Sequence, residues 1–206
     1  VAAAAGAGFG ALAGARRARA LHPHGPVHAA TARFPAAVDG VPALDRPRDV
    51  AALLRVSRAV GLPRWSPDIM GVAIRLLDLH GPGRHQDLLF ASSPPPPVHH
   101  VLAPAATARH RWHTALLPYR VGPRRGVLVA HRAGDLDYAV GLAGIGTRDV
   151  RPLFTVAGGE VAVGGDAETV RFDAILHAAP ELRQDAGPLD VVRRRAYAGS
   201  RTRGNG

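Results

Sequence analysis

The stretch RGVLVAHRAGDLDYAVGLAGI, residues 125–145, decides the architecture. It holds two apolar runs, RGVLVAHR (125–132) and YAVGLAGI (138–145), separated only by AGDLD. Each run is rich in Val, Leu or Ile and is bounded by Gly or Asp, which is how a strand reads. Parallel neighbours would need a crossover of about a dozen residues or more, and none fits here. The two runs therefore read as consecutive antiparallel strands.

The same signal recurs on both sides. PLFTVAG (152–158) and ETVRFDAI (168–175) follow, and VHAATARF (27–34), VAALLRVS (50–57), MGVAIRLLD (70–78) and QDLLFAS (86–92) precede. SSPPPPVHH (92–100) reads as an extended polyproline connector. Residues 101–125 mix helical and irregular signals. Four strands, a break and four strands, with no long helix between neighbours, predict a mainly β antiparallel barrel or sandwich. At the far end, Pro188 suits a first helical turn, and Leu189, Val192 and Ala196 form an apolar stripe, so a C-terminal helix is expected. The expected organisation is an Ala/Gly-rich arm (1–15) and one domain (16–206), in which 94–126 is a linker or lid between the strand sets.

Composition narrows the function. The net charge is +10, and all 26 basic residues are arginine. This implies an anionic partner or simply a basic, arginine-coded surface. Aromatics are only 5% and are not interleaved with a basic patch, so nucleic acid is not expected. No cysteine is present, which excludes disulfides, iron–sulfur clusters, Cys-ligated zinc and thiol catalysis. The opening run VAAAAGAGFGALAG is too short to span a membrane and has no basic residues before it. A cytoplasmic protein without a membrane span is expected.

The histidine-rich stretch ALHPHGPVHAATARF (20–34) carries His22, His24 and His28. Read alone, it could be a metal site, one catalytic histidine with bystanders, or a turn. Pro23 and Gly25 argue against a regular strand that would align His22 with His24 on one face. Tyr197, read alone, packs a tail helix, and Arg193 belongs to a solvated arginine run. Arg55 stands out because it interrupts an apolar strand.

Order and spacing add a further reading. RARALHPHG has Arg19, His22 and Gly25; LRVS has Arg55 and Ser57; PDIMGVAIRL has Asp68, Gly71 and Ala73; QDLLFAS has Asp87 and Leu88; VRFD has Phe172 and Asp173; and RRRAYAGSRTR has Arg193 and Tyr197. In this order they resemble the haem-dependent catalase superfamily, reduced to its core, over roughly residues 16–93 and 127–203. The resemblance implies an eight-stranded antiparallel catalase-like barrel with a C-terminal helix carrying Tyr197. It implies haem b, with Tyr197 as the proximal iron ligand. A phenol is a poor ligand while protonated, and Arg193, one helical turn away, would favour the phenolate. His22 would serve as distal acid and base, taking a proton from one peroxide oxygen and returning it to the other. Ser57 would hydrogen-bond that imidazole, and Arg19 and Arg55 would hold the propionates.

The chain also departs from the family pattern. Ser92 stands where the family has an Asn near the peroxide, Gly199–Ser200 replaces Asp–Thr, and Pro94–Pro97 replaces the wall phenylalanines. Peroxidase-type or organic-hydroperoxide chemistry is therefore expected in preference to rapid hydrogen peroxide disproportionation. The expected partner is a small-molecule peroxide, and a homo-oligomer stays open. Two rivals remain: a non-catalytic barrel that binds haem or another apolar molecule, and a metal-dependent hydrolase using His22, His24 and His28. Asp68 and Asp87 read as structural turn or cap residues.

Overall fold

The computed structural model describes residues 25–58, 66–105, 110–144, 146–162 and 170–185. Short apolar runs build its wall from β1 (Val27–Phe34), β2 (Arg48–Arg58), β3 (Met70–Leu76), β4 (Gln86–Ser92), β5 (Trp112–Val121), β6 (Arg124–Arg132), β7 (Asp137–Ala143) and β8 (Val150–Val161). Each strand pairs antiparallel with the next. β1 closes on β8, and β4 meets β5, giving an eight-stranded up-and-down barrel. A short 3-10 turn, Pro42–Leu44, is its one named helical element among the described residues.

Alternate residues fill the interior: Val50, Ala52 and Leu54 from β2, Val72, Ile74 and Leu76 from β3, and Leu88 and Phe90 from β4. Tyr138, Val140, Phe154 and Val156 complete the opposite side. Phe34 and Phe154 stack with ring centroids 4.6 Å apart. Hairpin geometry requires Gly122, whose φ is +55°; a side chain there would also collide with the Asp39 carbonyl.

The barrel closes between β4 and β5 through a short seam. These strands pair only through Ala91–Thr114 and Ser92–His113. Beyond that point β5 changes register against β6 between Thr114 and Pro118, and Leu116 adopts a left-handed φ of 62°. The second half of β5 pairs instead with β9 (Leu182–Gln184). The segment leading into β9 lies against β4: Asp87 N–H donates to the His177 carbonyl at 2.9 Å, and Ala179 N–H donates to Gln86 Oε1 at 3.2 Å. Residues 177–185 thus act as a wedge that supplies hydrogen-bond partners where β4 and β5 diverge.

Two sequence expectations are corrected here. Residues 170–175, the described part of the expected strand 168–175, do not form a strand. Asp173 turns the chain instead, its Oδ1 accepting from the N–H groups of Ile175 and Leu176 at 2.9 Å each. The eighth wall strand is Trp112–Val121, so the expected linker or lid over 94–126 does not reach beyond residue 111. The expected C-terminal helix falls outside the described residues. Among the described residues no helix is long and apolar enough to cross a membrane.

Candidate functional site

The candidate site lies on the outer face of β2, β3 and β4. Leu54, Ile74 and Leu88 point into the core, so the alternate residues Arg55, Arg75 and Asp87 belong to the other face. Register makes them neighbours: Arg55 opposes Ala73, Ser57 opposes Gly71, and Arg75 opposes Asp87. Arg55 and Ser57 are buried. Gly71, Ala73 and Ala91 are buried too and give this face a shallow floor of small side chains. Gly25 comes so close to β2 that a Cβ there would strike the Val56 carbonyl and come within 3.4 Å of Ser57 Cβ.

Arg75 and Asp87 form a bidentate pair, Nε to Oδ1 and Nη2 to Oδ2, both at 2.7 Å. Asp87 Oδ2 also accepts from Asp173 N–H at 2.7 Å and lies 2.9 Å from His177 Nδ1. Burial pushes the Asp87 carboxyl up, but Arg75, His177 and the Asp173 N–H together hold it below the usual carboxylate range. Arg75 Nη2 donates to the Arg171 carbonyl at 2.6 Å and lies 2.8 Å from His177 Nδ1. His177 therefore has two settings. With a proton on Nδ1 it donates to Asp87; without one, Nδ1 accepts from Arg75.

Phe172 lies close to both guanidinium groups. Arg55 Cζ is 5.2 Å and Arg75 Cζ 5.3 Å from the ring centroid. Such contacts are worth about 0.5–2 kcal/mol each, depending on desolvation. Burial lowers the Arg55 pKa below its ordinary value, and the charge of Arg75 lowers it further. Positive charge is thus concentrated beside one aromatic ring.

Of the residues expected from sequence, Arg55 and Ser57 share this face. Phe172 and Asp173, distant in sequence, lie against it. Ser92 does not share it: it has the parity of Leu88 and Phe90 on β4. Its hydroxyl donates to the Ala103 carbonyl at 2.6 Å and accepts from Met70 N–H at 3.1 Å, tying the 93–105 loop to β3. Arg19, His22, His24, Arg193 and Tyr197 fall outside the described residues. His28 Nδ1 lies 3.2 Å from the Gly159 carbonyl on β8. Among the described residues no group of three His, Asp or Glu side chains is arranged to hold a metal ion.

Asp68 and Asp87 were expected as turn or cap residues; Asp87 instead lies within β4 as the buried partner of Arg75. Asp68 Oδ1 accepts from Ile69 N–H at 2.7 Å, and Oδ2 lies 3.4 Å from Arg58 Nε. Sequence reasoning missed Arg75 and His177. Arg75 interrupts an apolar strand as Arg55 does, so the same signal could have found it. No family model matches the chain, and no curated protein matches its sequence.

Proposed function

We propose that the protein is a catalase-like haem-binding oxidoreductase acting on a peroxide. One observation carries this reading. Arg55 and Ser57, Gly71 and Ala73, Asp87, and Phe172 with Asp173 come from four separate stretches of sequence, and all meet at one face of a closed antiparallel barrel. Those are the stretches through which the sequence resembles the family.

The donor chemistry fits a porphyrin. Arg55 is a guanidinium suited to a propionate, Ser57 is a hydroxyl close to Gly25, which follows His22 by three residues in the sequence, and Gly71, Ala73 and Ala91 are small buried residues on the same face. Arg75 takes no direct part in this reading, because Asp87 occupies its fork. Haem would supply the redox chemistry. His22 would move a proton between the two peroxide oxygens, Ser57 would set its tautomer, and Arg19 would add a second propionate contact. Tyr197 would hold the iron as phenolate, with Arg193 favouring that charge.

Ser92 favours a second reading, a catalase-like barrel that binds haem or another apolar molecule without turnover. Both contacts of its hydroxyl are to backbone groups, which leaves it committed to the loop rather than to a peroxide.

Expression with haem supplied separates the readings. A Soret band that changes in Tyr197→Phe supports phenolate ligation. Peroxide turnover lost in His22→Ala, with the band retained, supports the enzyme; a band without turnover supports the passive carrier. Absence of any band in the wild type rejects haem binding and leaves a barrel for another apolar molecule.

A further inference from the structure

A second charged feature lies away from this face. Arg183 on β9 opposes Arg120 on β5, and Arg120 opposes Arg125 on β6. Directly opposed residues share a face, so three guanidinium groups form a row across three strands spaced about 4.8 Å apart. Arg124 adds a fourth exposed arginine at the β5–β6 turn. Like charges in such register repel each other.

The local acids offset this only in part. Asp185 Oδ2 lies 3.5 Å from Arg120 Nη2 and 3.2 Å from Arg125 Nε, so one carboxylate serves two arginines. Glu181, also on the β9 segment, lies 4.0 Å from His80 Nδ1. The framework is fixed: Asp185 N–H donates to the Pro118 carbonyl at 2.7 Å, and Gly122 N–H to the Glu181 carbonyl at 2.8 Å.

We propose that the row Arg183–Arg120–Arg125 is a binding site for a phosphate group, either free or at the end of a phosphomonoester. Guanidinium forks match phosphate oxygens through paired charge-assisted hydrogen bonds. A doubly charged tetrahedral anion between strands relieves the repulsion along the row, which a single carboxylate shared at its edge does not. The site is independent of the haem reading.

Thermal unfolding with inorganic phosphate, against sodium chloride at matched ionic strength, tests the site. Phosphate raises Tm beyond the chloride control, as a ligand of the native state must. Arg183→Gln and Arg120→Gln each weaken phosphate binding about tenfold or more, the loss expected for a charge-assisted contact. Both positions are exposed, so the variants fold. Asp185→Asn tightens phosphate binding, because the internal competitor loses its charge. Phosphatidylcholine vesicles with and without phosphatidic acid identify the source. Selective vesicle binding lost in Arg183→Gln assigns a lipid headgroup, and phosphate binding without vesicle binding assigns a soluble phosphate. Equal stabilisation by phosphate and chloride, or phosphate binding unchanged in both arginine variants, overturns the proposal.

Discussion

Arg75 and Asp87 oppose each other in register on β3 and β4, and their side chains meet through two contacts of 2.7 Å. The Asp87 side chain is fully buried. This pair fastens the wedge to the barrel, because Asp87 also receives Asp173 N–H and faces His177.

Removing one partner should therefore cost more than the pair itself contributes. Asp87→Ala leaves the Arg75 charge with no carboxylate and releases the Asp173 N–H. The expected loss is about 3–5 kcal/mol in chemical denaturation. Arg75→Met combined with Asp87→Leu should recover a substantial part of that loss. If the double variant is no more stable than Asp87→Ala, the buried charge is not the source of the penalty.

Acid should act through the same residue. The folded state holds the Asp87 carboxyl below its ordinary range, so the unfolded chain takes up the proton more readily. The stability from this group is complete above the unfolded value, about pH 4, and is lost as pH falls from there through the folded value. Asp87→Asn lowers stability at neutral pH but should flatten the slope below about pH 4. An unchanged slope would mean that other carboxylates govern acid unfolding.

His99 should act at milder pH. It is fully buried, and burial, followed by the influence of His100, lowers its pKa from the ordinary value. A lowered histidine is protonated more readily in the unfolded chain. Its contribution is complete above about pH 6.5 and is lost as pH falls from there to the folded value. His99→Leu should reduce the fall in stability over that window, read from denaturation midpoints. A fall equal to that of the wild type would rule out His99 as its source.

Ser92 gives a separable result. Ser92→Ala removes the acceptor for Met70 N–H and the donor to the Ala103 carbonyl. A loss of about 1–3 kcal/mol is expected. Haem affinity should be unchanged, because the residue lies on the opposite parity of β4 from Asp87. A reduced haem affinity with intact stability would move Ser92 into the binding site.

Much of the wall was legible because a short apolar run bounded by turn residues is a local signal. The runs 27–34, 50–57, 86–92 and 125–132 carry it, and each lies in a strand. Trp112–Val121 hid because Pro118 and the left-handed Leu116 break its period where the strand bends away from β4. Residues 170–175 misled in the opposite sense. Val170, Phe172 and Ile175 favour strands, but Asp173 bonds its own backbone and turns the chain. In the candidate site, Arg55 was visible as a charge within an apolar strand. His177 was not, since its partner Asp87 lies 90 residues away and nothing local marks the contact.

The central claim is that the Arg55 face binds haem, and a spectroscopic haem titration tests it most directly. Three proteins are compared: wild type, Arg55→Leu and Arg33→Leu, with folding of each checked by denaturation. Arg33 is an exposed arginine paired with Asp49 and serves as the control. The account predicts a saturable Soret band in wild type and Arg33→Leu, and affinity at least about tenfold weaker in Arg55→Leu, the expected loss of a charge-assisted contact. Equal affinity in all three proteins, or no saturable band in any of them, would contradict it.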